Sequence, residues 1–289
     1  MSSYTLHLVN LVAVYAIAVI GLHIIVGLCG QFSLAQGAFF GIGAYGLALL
    51  QARLHWPALT AAIGGALLAA GVGALVGIPI LRLRGHYLAM ATIGFGEILY
   101  LTLLNWTSLT NGPDGLRIAR PFLAGAGSLA YDRAFFALAA TLVASTAFAT
   151  ARLGRSTFGR QLRAVRDNEL AAATSGIAVT QVKVAAFAAA AFFAGLAGGL
   201  YGLLETYVSP DTFTFDFSIV LLTMLLIGGR YSVGGAVAGA ILLGFLPEWL
   251  RFLKDYYMLL FGALVVVSVT WMPAGIAGLW AQIRQRKTA

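Results

Sequence analysis

The first 52 residues of the 289-residue chain contain no Asp, Glu, Lys or Arg, and Arg53 is the first charged side chain. As a single α-helix this stretch would be about 78 Å long, whereas the hydrocarbon core of a bilayer is about 30 Å thick. It is therefore too long for one crossing. Glycines and polar residues interrupt it at 27–33, so we predict two membrane-spanning helices separated by a break.

Four further uncharged stretches follow, at 54–81, 134–151, 184–204 and 256–283. Each is long enough to cross a bilayer as a helix. Charged residues make up 10% of the chain, against about 25% in soluble domains. The runs also lack the two-residue alternation of outer-membrane barrel strands. The sequence thus predicts an all-α, polytopic membrane protein.

Breaks and charges divide the chain into about nine spans, with a range of eight to ten. The predicted spans are 8–28, 34–51, 57–80, 86–104, 134–151, 183–204, 216–229, 233–250 and 256–273. Twelve of the 18 Lys and Arg residues fall on the side of the 152–183 loop, and six on the other side. Because cytoplasmic loops carry the excess of basic residues, we predict the amino terminus outside and the carboxyl terminus in the cytoplasm.

We treat 1–289 as a single transmembrane domain with two long loops. The 105–133 segment is rich in turn-forming residues and is expected to shape the extracytoplasmic face. The 152–183 segment is expected to be a cytoplasmic coupling segment. In it, arginines at three-residue spacing flank apolar residues, which predicts a short amphipathic helix outside the bilayer. Such a helix lies either on anionic lipid headgroups or against a cytoplasmic partner.

Two predicted breaks have similar sequences, GQFSL at 30–34 and GRYSV at 229–233. Both would lie at cytoplasmic ends of spans. Transporter halves often contain weak repeats with interrupted helices in matching positions. The alternative is that a match of only five residues arose by chance.

Several function classes are excluded. The net charge of +8 does not indicate a nucleic-acid partner, because the basic residues lie between apolar spans. Cys29 is the only cysteine, and the four histidines share no ligand spacing, so we predict no metal site. No Lys follows a Gly, as a phosphate-binding P-loop requires, so any ATPase motor is another polypeptide. No catalytic constellation stands out, so we do not expect an enzyme.

Motifs that run in order along nearly the whole chain point to a family. They are GLCGQFSLAQGAFFGIGAY at 27–45, LRLRGHYLAMATIGFGE at 81–97, NWTSLTNGPDGL at 105–116, GRQLRAVRDNE at 159–169, SPDTF at 209–213 and IGGRYSVGG at 227–235. This series resembles the branched-chain amino acid ABC-transporter permeases, and their M-type (LivM-like) subunit in particular. His86 departs from the acidic residue that is common there, and Arg230 from an apolar one.

The resemblance implies the permease subunit of an ATP-driven importer for branched-chain, hydrophobic amino acids in the bacterial inner membrane. In such importers an H-type and an M-type permease form a heterodimer. Two P-loop ATPase subunits bind on the cytoplasmic side, and a periplasmic substrate-binding protein delivers the cargo. We therefore expect ATP on the partner subunits and no cofactor on this chain.

Importer permeases share a loose ATPase-docking motif, Glu-Ala-Ala-x-x-x-Gly. Here the two alanines and the glycine keep its spacing, whereas the glutamate stands one position early. The resemblance carries the docking role over to Arg160, Arg163, Glu169, Ala172 and Gly176.

Four acidic residues are further candidates. Glu97 would lie about 17 Å into the fourth span, where an ionisable side chain is costly and faces protein or water. It is either part of the translocation pathway, where it could attract the ammonium of the substrate, or a structural carboxylate bonded within the protein. Glu205, Asp211 and Asp216, near the outer end of the sixth span, either contact the binding protein or are solvated loop carboxylates.

Two alternatives remain for the function. An importer permease of this kind could carry urea, short amides or other amino acids. A stand-alone secondary transporter, with Glu97 as its proton or cation site, would be driven by an ion gradient instead.

Overall fold

The computed structural model describes residues 3–83, 85–118 and 128–249, together with Gly262 and Gly275. The α-helices of this part are α1 (Ser3–Leu22), α2 (Gln36–Leu54), α3 (Ala58–Ile80), α4 (His86–Asn105), α5 (Thr107–Thr110), α6 (Ser128–Arg155), α7 (Thr157–Asp167), α8 (Glu169–Thr174), α9 (Val179–Glu205), α10 (Phe215–Gly228) and α11 (Val233–Trp249). A π-helical segment, His23–Leu28, continues α1. Two short strands, β1 (Leu116–Arg117) and β2 (Tyr207–Val208), pair antiparallel.

Six of these helices are long and apolar enough to cross a membrane, which confirms the predicted all-α, polytopic class. They are α1 with its π-helical continuation, α2, α3, α4, α6 and α9, whereas α10 and α11 are apolar but shorter. Each of the eight spans predicted before residue 250 coincides with a helix. The ninth, 256–273, lies outside the described residues, so the number of crossings stays a prediction.

Helix α9 lies at the centre of the bundle, where α1, α2 and α3 pack around it. Glycines allow these backbones to approach closely. A Cβ at Gly43 would lie 2.0 Å from the carbonyl oxygen of Gly195, and a Cβ at Gly198 would lie 1.8 Å from that of Phe40. Lipid provides no hydrophobic drive between helices, so such close packing supplies much of the attraction that holds them together.

Side-chain contacts define two ends of the bundle. At one end, called here the α7 end, Gln31 and Lys183 meet the first residue of α8. At the opposite end, His7, Asp132 and Glu205 line one small cavity. Helices α1 and α6 therefore run toward the α7 end, and α9 runs away from it.

Two helix starts differ from the prediction, which placed boundaries at charged residues. Helix α6 begins at Ser128 rather than at 134, because Asp132 is buried against α1 with polar partners. Ser3 Oγ donates to the Asp132 carboxylate at 3.2 Å, and Asn10 Nδ2 donates to its carbonyl oxygen at 3.0 Å. Helix α9 begins at Val179 rather than at 183, and Lys183 lies buried within it. A charge with a partner does not end a helix.

The central packing predicts opposite outcomes for two Gly→Ala substitutions. Gly198→Ala places a methyl group against the Phe40 carbonyl and should destabilise the folded chain by about 1–3 kcal/mol. Gly71→Ala, in α3, meets no atom within 4 Å and should be neutral or stabilise by up to about 1 kcal/mol. Thermal unfolding in mild detergent measures both changes. Equal melting temperatures for the two variants would contradict the packing of α9 against α2.

Candidate functional site

Helix α7 follows α6 after a one-residue break at Ser156. Ser156 Oγ accepts a hydrogen bond from the Gly159 amide at 3.2 Å and so caps the new helix. Leu162 and Val165 are buried against the bundle, whereas Arg160 is exposed. The amphipathic pattern of the sequence is therefore present as a helix with one packed and one free face.

The predicted single amphipathic helix is in fact two helices, divided at Asn168. The Asn168 backbone is extended, and its Oδ1 accepts hydrogen bonds from the amides of Leu170 and Ala171, both at 3.0 Å. This side chain thus caps α8 and ends α7 at the same point, because an extended residue cannot continue a helix.

Gly176 ends α8 in a left-handed conformation, with φ of +82°. Its amide donates to the Ala173 carbonyl at 3.1 Å, and the Ile177 amide donates to the Ala172 carbonyl at 3.0 Å. This pair of bonds is the Schellman motif, which favours glycine at this position. The left-handed backbone at the end of α8 therefore accounts for a glycine at position 176.

Glu169, the first residue of α8, points toward the bundle. Its Oε1 forms an ion pair with Lys183 Nζ and accepts a hydrogen bond from Gln31 Nε2 at 3.0 Å. Lys183 is only 3% exposed, so its ammonium depends on this partner. Three separate parts of the chain are joined here: α8, α9 and the break between α1 and α2.

The structure places the five predicted docking residues on different surfaces. Arg160 and Gly176 are exposed, whereas Ala172 is buried. Arg163 donates to the Gly154 carbonyl within the chain, and Glu169 is bonded as described. Only two of the five are thus presented outward.

Leu170 is not among the five predicted docking residues, yet it is 74% exposed at the start of α8. A leucine between a capping Asn and two alanines could have suggested an apolar tip. Ala171, Ala173 and Thr174 are exposed beside it. We call this surface, residues 170–176 without the buried Ala172, the α8 tip.

A cavity of about 620 Å³ lies at the α7 end, between the α7–α8 junction, the 30–34 break and the start of α4. Arg166, Asn168 and Glu169 line it on one side and His86 on another. The cavity is open on the surface of the chain and separates α4 from the α7–α8 segment.

Glu97 is exposed on the outer face of α4, opposite the side that packs on the bundle. Leu88 and Thr92 mark the packed side, and Thr92 Oγ1 accepts a hydrogen bond from the Leu34 amide at 3.1 Å. Among the described residues, none forms a hydrogen bond or ion pair with the Glu97 carboxylate. The alternative of a carboxylate bonded internally therefore finds no support in the described part of this chain.

The opposite end of the bundle carries a small ordered platform. Strand β1 pairs with β2, and Tyr207 Oη donates to the Asp114 carbonyl at 3.1 Å. Asp211 and Asp216 are exposed there, as is Asp114. Glu205 is different, because its carboxylate lies 3.1 Å from His7 Nε2.

No group of three or more His, Cys, Asp or Glu side chains in the described ranges is placed to hold a metal ion.

Comparison with known protein families shows to which class this chain belongs. Residues 4–269 match the family model described as branched-chain amino acid transport system / permease component. The chain belongs to this family. It is therefore a multi-pass membrane protein and a transporter component.

Curated relatives agree with the family model. The high-affinity branched-chain amino acid transport system permease protein LivM of Escherichia coli K12 is 36% identical over 302 residues, which cover 96% of this chain and 70% of that protein. The protein of the same name from Salmonella typhimurium LT2 is 35% identical over the same shares. The ribose import permease RbsC of Bacillus subtilis 168 is 30% identical over 136 residues, or 45% of this chain and 42% of that protein. No solved structure matches the chain.

The rate of chemical labelling at Cys29 tests whether the contacts of Glu169 with Lys183 and Gln31 hold the α7–α8 segment in place. Burial raises the pKa of the Cys29 thiol to about 12, and Arg166 and Glu169 of the α7–α8 segment contact its neighbours Gly27, Gly30 and Gln31. The thiolate is the reactive form, so a maleimide should label the native chain very slowly at pH 7.

Lys183→Met should speed the labelling of Cys29 by at least about tenfold, because loss of one member of a buried ion pair costs about 3–5 kcal/mol. The nearby Lys183 charge lowers the thiol pKa, so its removal alone would slow the reaction. A faster reaction therefore reports opening of the α7–α8 segment. Arg152→Met, at an exposed position of α6, is the matched control and should label like the unmodified chain.

Proposed function

We propose that this chain is the permease subunit of an ATP-driven importer that carries branched-chain amino acids across the bacterial inner membrane. Membership of residues 4–269 in the permease family carries the proposal. The Escherichia coli relative that aligns with 96% of the chain is named for the same transport. The chain has no P-loop lysine, so ATP is hydrolysed by separate ATPase subunits.

The α8 tip is the surface that enters an ATPase subunit. An exposed leucine flanked by exposed alanines suits an apolar cleft on a partner protein better than it suits water. Arg160, exposed on α7, adds a charged contact at the edge. Arg163, Glu169 and Ala172 serve the same docking role from inside, since they hold α7 and α8 against the bundle.

The ion pair of Glu169 with Lys183 can transmit a force from the α8 tip to helix α9. Closure of the ATPases pushes the α8 tip, and Glu169 passes the displacement to the base of α9. Because α9 packs against α1, α2 and α3, its movement changes the whole bundle. Packed helices of this kind have discrete alternative arrangements, so a small push selects one of them.

The α7 end faces the cytoplasm. Arg82, Arg155, Arg166 and Arg230 lie at this end in addition to the residues of the docking surface, whereas Arg53, Arg117 and Arg133 lie toward the opposite end. This asymmetry follows the rule that basic residues concentrate on the cytoplasmic side. With α1 starting at the opposite end, the amino terminus lies outside.

The opposite end receives a periplasmic substrate-binding protein. Asp211 and Asp216 are exposed on the platform and can pair with basic groups of that partner. Glu205 contributes by fixing the platform to α1 through His7 rather than by a free charge. In this arrangement 105–133 is the extracytoplasmic loop and 152–183 the cytoplasmic coupling segment.

Glu97 lines the pathway between this chain and a second, H-type permease. A carboxylate in the middle of a spanning helix does not face lipid at low cost, so the free face of α4 meets water or protein. A charged Glu97 in a water-filled path would attract the ammonium group of an amino acid.

The substrate-binding protein that delivers the cargo determines which compound is transported more than these helices do. The partial likeness to a protein named as a ribose import permease supports this view, since related helices are found with a different named cargo. Leucine, isoleucine and valine are the expected cargo, with urea, amides and other amino acids as the compounds to test against them.

Purification of the tagged chain in mild detergent tests the assembly. We expect a second permease and P-loop ATPases to co-purify. Leu170→Glu should reduce ATPase recovery by at least about tenfold, because a charge at the tip must be desolvated in the cleft. Leu54→Glu, at an exposed leucine of the opposite end, should leave recovery unchanged. Recovery of the intact chain alone would favour an ion-driven carrier instead.

Glu97→Gln should lower ATP-driven leucine uptake into proteoliposomes by about tenfold, which corresponds to about 1.4 kcal/mol of lost attraction for the ammonium. Glu97→Asp keeps the charge and should retain most of the uptake. The ATPase subunits should remain bound in both variants. Full uptake by Glu97→Gln would reduce Glu97 to a structural residue, and uptake driven by a proton gradient without ATP would support the secondary transporter.

A further inference from the structure

The two breaks with similar sequences meet in space. His23 Nδ1, in the π-helical segment before the first break, lies 2.8 Å from the carbonyl oxygen of Arg230 in the second. The carbonyl can only accept, so the proton of this bond is on Nδ1. Gly27 allows the approach, because a Cβ there would lie 2.0 Å from the same carbonyl oxygen.

Arg166 of α7 contacts both breaks with one side chain. Its Nη1 donates to the Gly27 carbonyl at 3.1 Å, and its guanidinium lies 5.3 Å from the centre of the Tyr231 ring. The stem of the side chain lies against Gly30, where φ is +75° and a Cβ would be 2.5 Å from Arg166 Cγ. Nε is held by Asp167 at 3.0 Å. The guanidinium is therefore fixed on several sides.

The aromatic residues at equivalent positions of the two breaks both lie near the guanidinium of Arg230. Its guanidinium is 4.8 Å from the centre of the Tyr231 ring and 6.0 Å from that of Phe32. Tyr231 thus contacts the guanidinium of Arg166 as well as that of Arg230. These contacts make the two breaks one packed unit, called here the break junction.

The Gly27 carbonyl is at the end of a helix, where backbone acceptors lack an intrahelical donor. Arg166 supplies that donor from outside the bundle. If α7 moves, either α1 follows or the carbonyl loses its partner at the edge of the membrane, where an unpaired polar group is costly.

We propose that Arg166 is a positioning residue that transmits movement of the α7–α8 segment to the break junction, and so to α1 and α10 together. The proposal rests on the proposed function, in which that segment receives the push of the ATPases. It adds a second route beside the ion pair of Glu169 with Lys183, which leads to α9 instead. Lysine does not replace this arginine, because a single ammonium group cannot reach the Gly27 carbonyl, Asp167 and the Tyr231 ring at the same time, as the forked guanidinium does.

The test measures leucine uptake and ATP hydrolysis in the same proteoliposomes containing the assembled complex. Arg166→Gln should lower the leucine carried per ATP hydrolysed by at least about tenfold, within the usual range of coupling between sites. Arg166→Lys should show most of this loss. Arg155→Gln, an exposed arginine at the end of α6, is the matched control and should keep the ratio of the unmodified complex.

A second readout separates transmission from mere stability. In the unmodified complex the rate of maleimide labelling at Cys29 should change on ATP binding, because the break beside it moves. In Arg166→Gln this change should disappear while the ATPases remain bound. If Arg166→Gln does not fold, Tyr231→Leu removes the contact of Arg166 with the second break and should also lower the coupling.

An unchanged ratio of uptake to hydrolysis in Arg166→Gln, or in a folded Tyr231→Leu, would overturn the proposal. So would an ATP-dependent change in Cys29 labelling that survives in these variants. Failure of the proposed function has a different signature, since the unmodified chain would then neither retain ATPases nor take up leucine with ATP.

Discussion

The close approach of α9 to α2 and α3 is the contact on which the rest of the structure depends. Lipid gives no hydrophobic drive between helices, so the backbones must come near enough for packing to hold them. Gly43 and Gly198 leave no room for a side chain between α9 and α2, and a Cβ at Gly195 would lie 2.5 Å from the Ala69 Cβ of α3. Polar side chains between the helices are also bonded, as when Gln36 Nε2 donates to the Ala18 carbonyl at 2.9 Å. The bundle therefore moves as connected helices, and a force on the base of α9 reaches its neighbours.

The α7–α8 segment is placed where it could deliver such a force in the proposed function. Its ends are fixed by local signals, a capping Ser156 and a left-handed Gly176, which leave the tip exposed. Its inner surface carries polar connections to the bundle at three points: Arg163 to the end of α6, Glu169 to the start of α9 and Arg166 to the break junction. A helix held only by apolar contacts could slide on the bundle, whereas charged groups with buried partners resist displacement. The segment thus joins the outside of the bundle to α1, α9 and α10.

Hydropathy and motifs predicted the helices and the family, because long uncharged runs have few alternatives in a membrane. Positions that depend on partners distant in sequence could not be predicted. Charged Asp132 and Lys183 looked like helix boundaries, yet both lie inside helices with partners supplied by other segments. Glu169 looked like an outward docking residue, and only the fold shows that it turns inward. The division of α7 from α8 was foreseeable in principle, since Asn168 is a strong capping residue.

The proposed function requires that the α8 tip contacts an ATPase subunit. Its most direct test is a photo-crosslinking amino acid placed at position 170, with the same group at position 54 of the opposite end as the reference. We predict an adduct between position 170 and a P-loop ATPase, identified by mass spectrometry, and no such adduct from position 54. Adducts with lipid alone at position 170, in a complex that contains the ATPases, would contradict it.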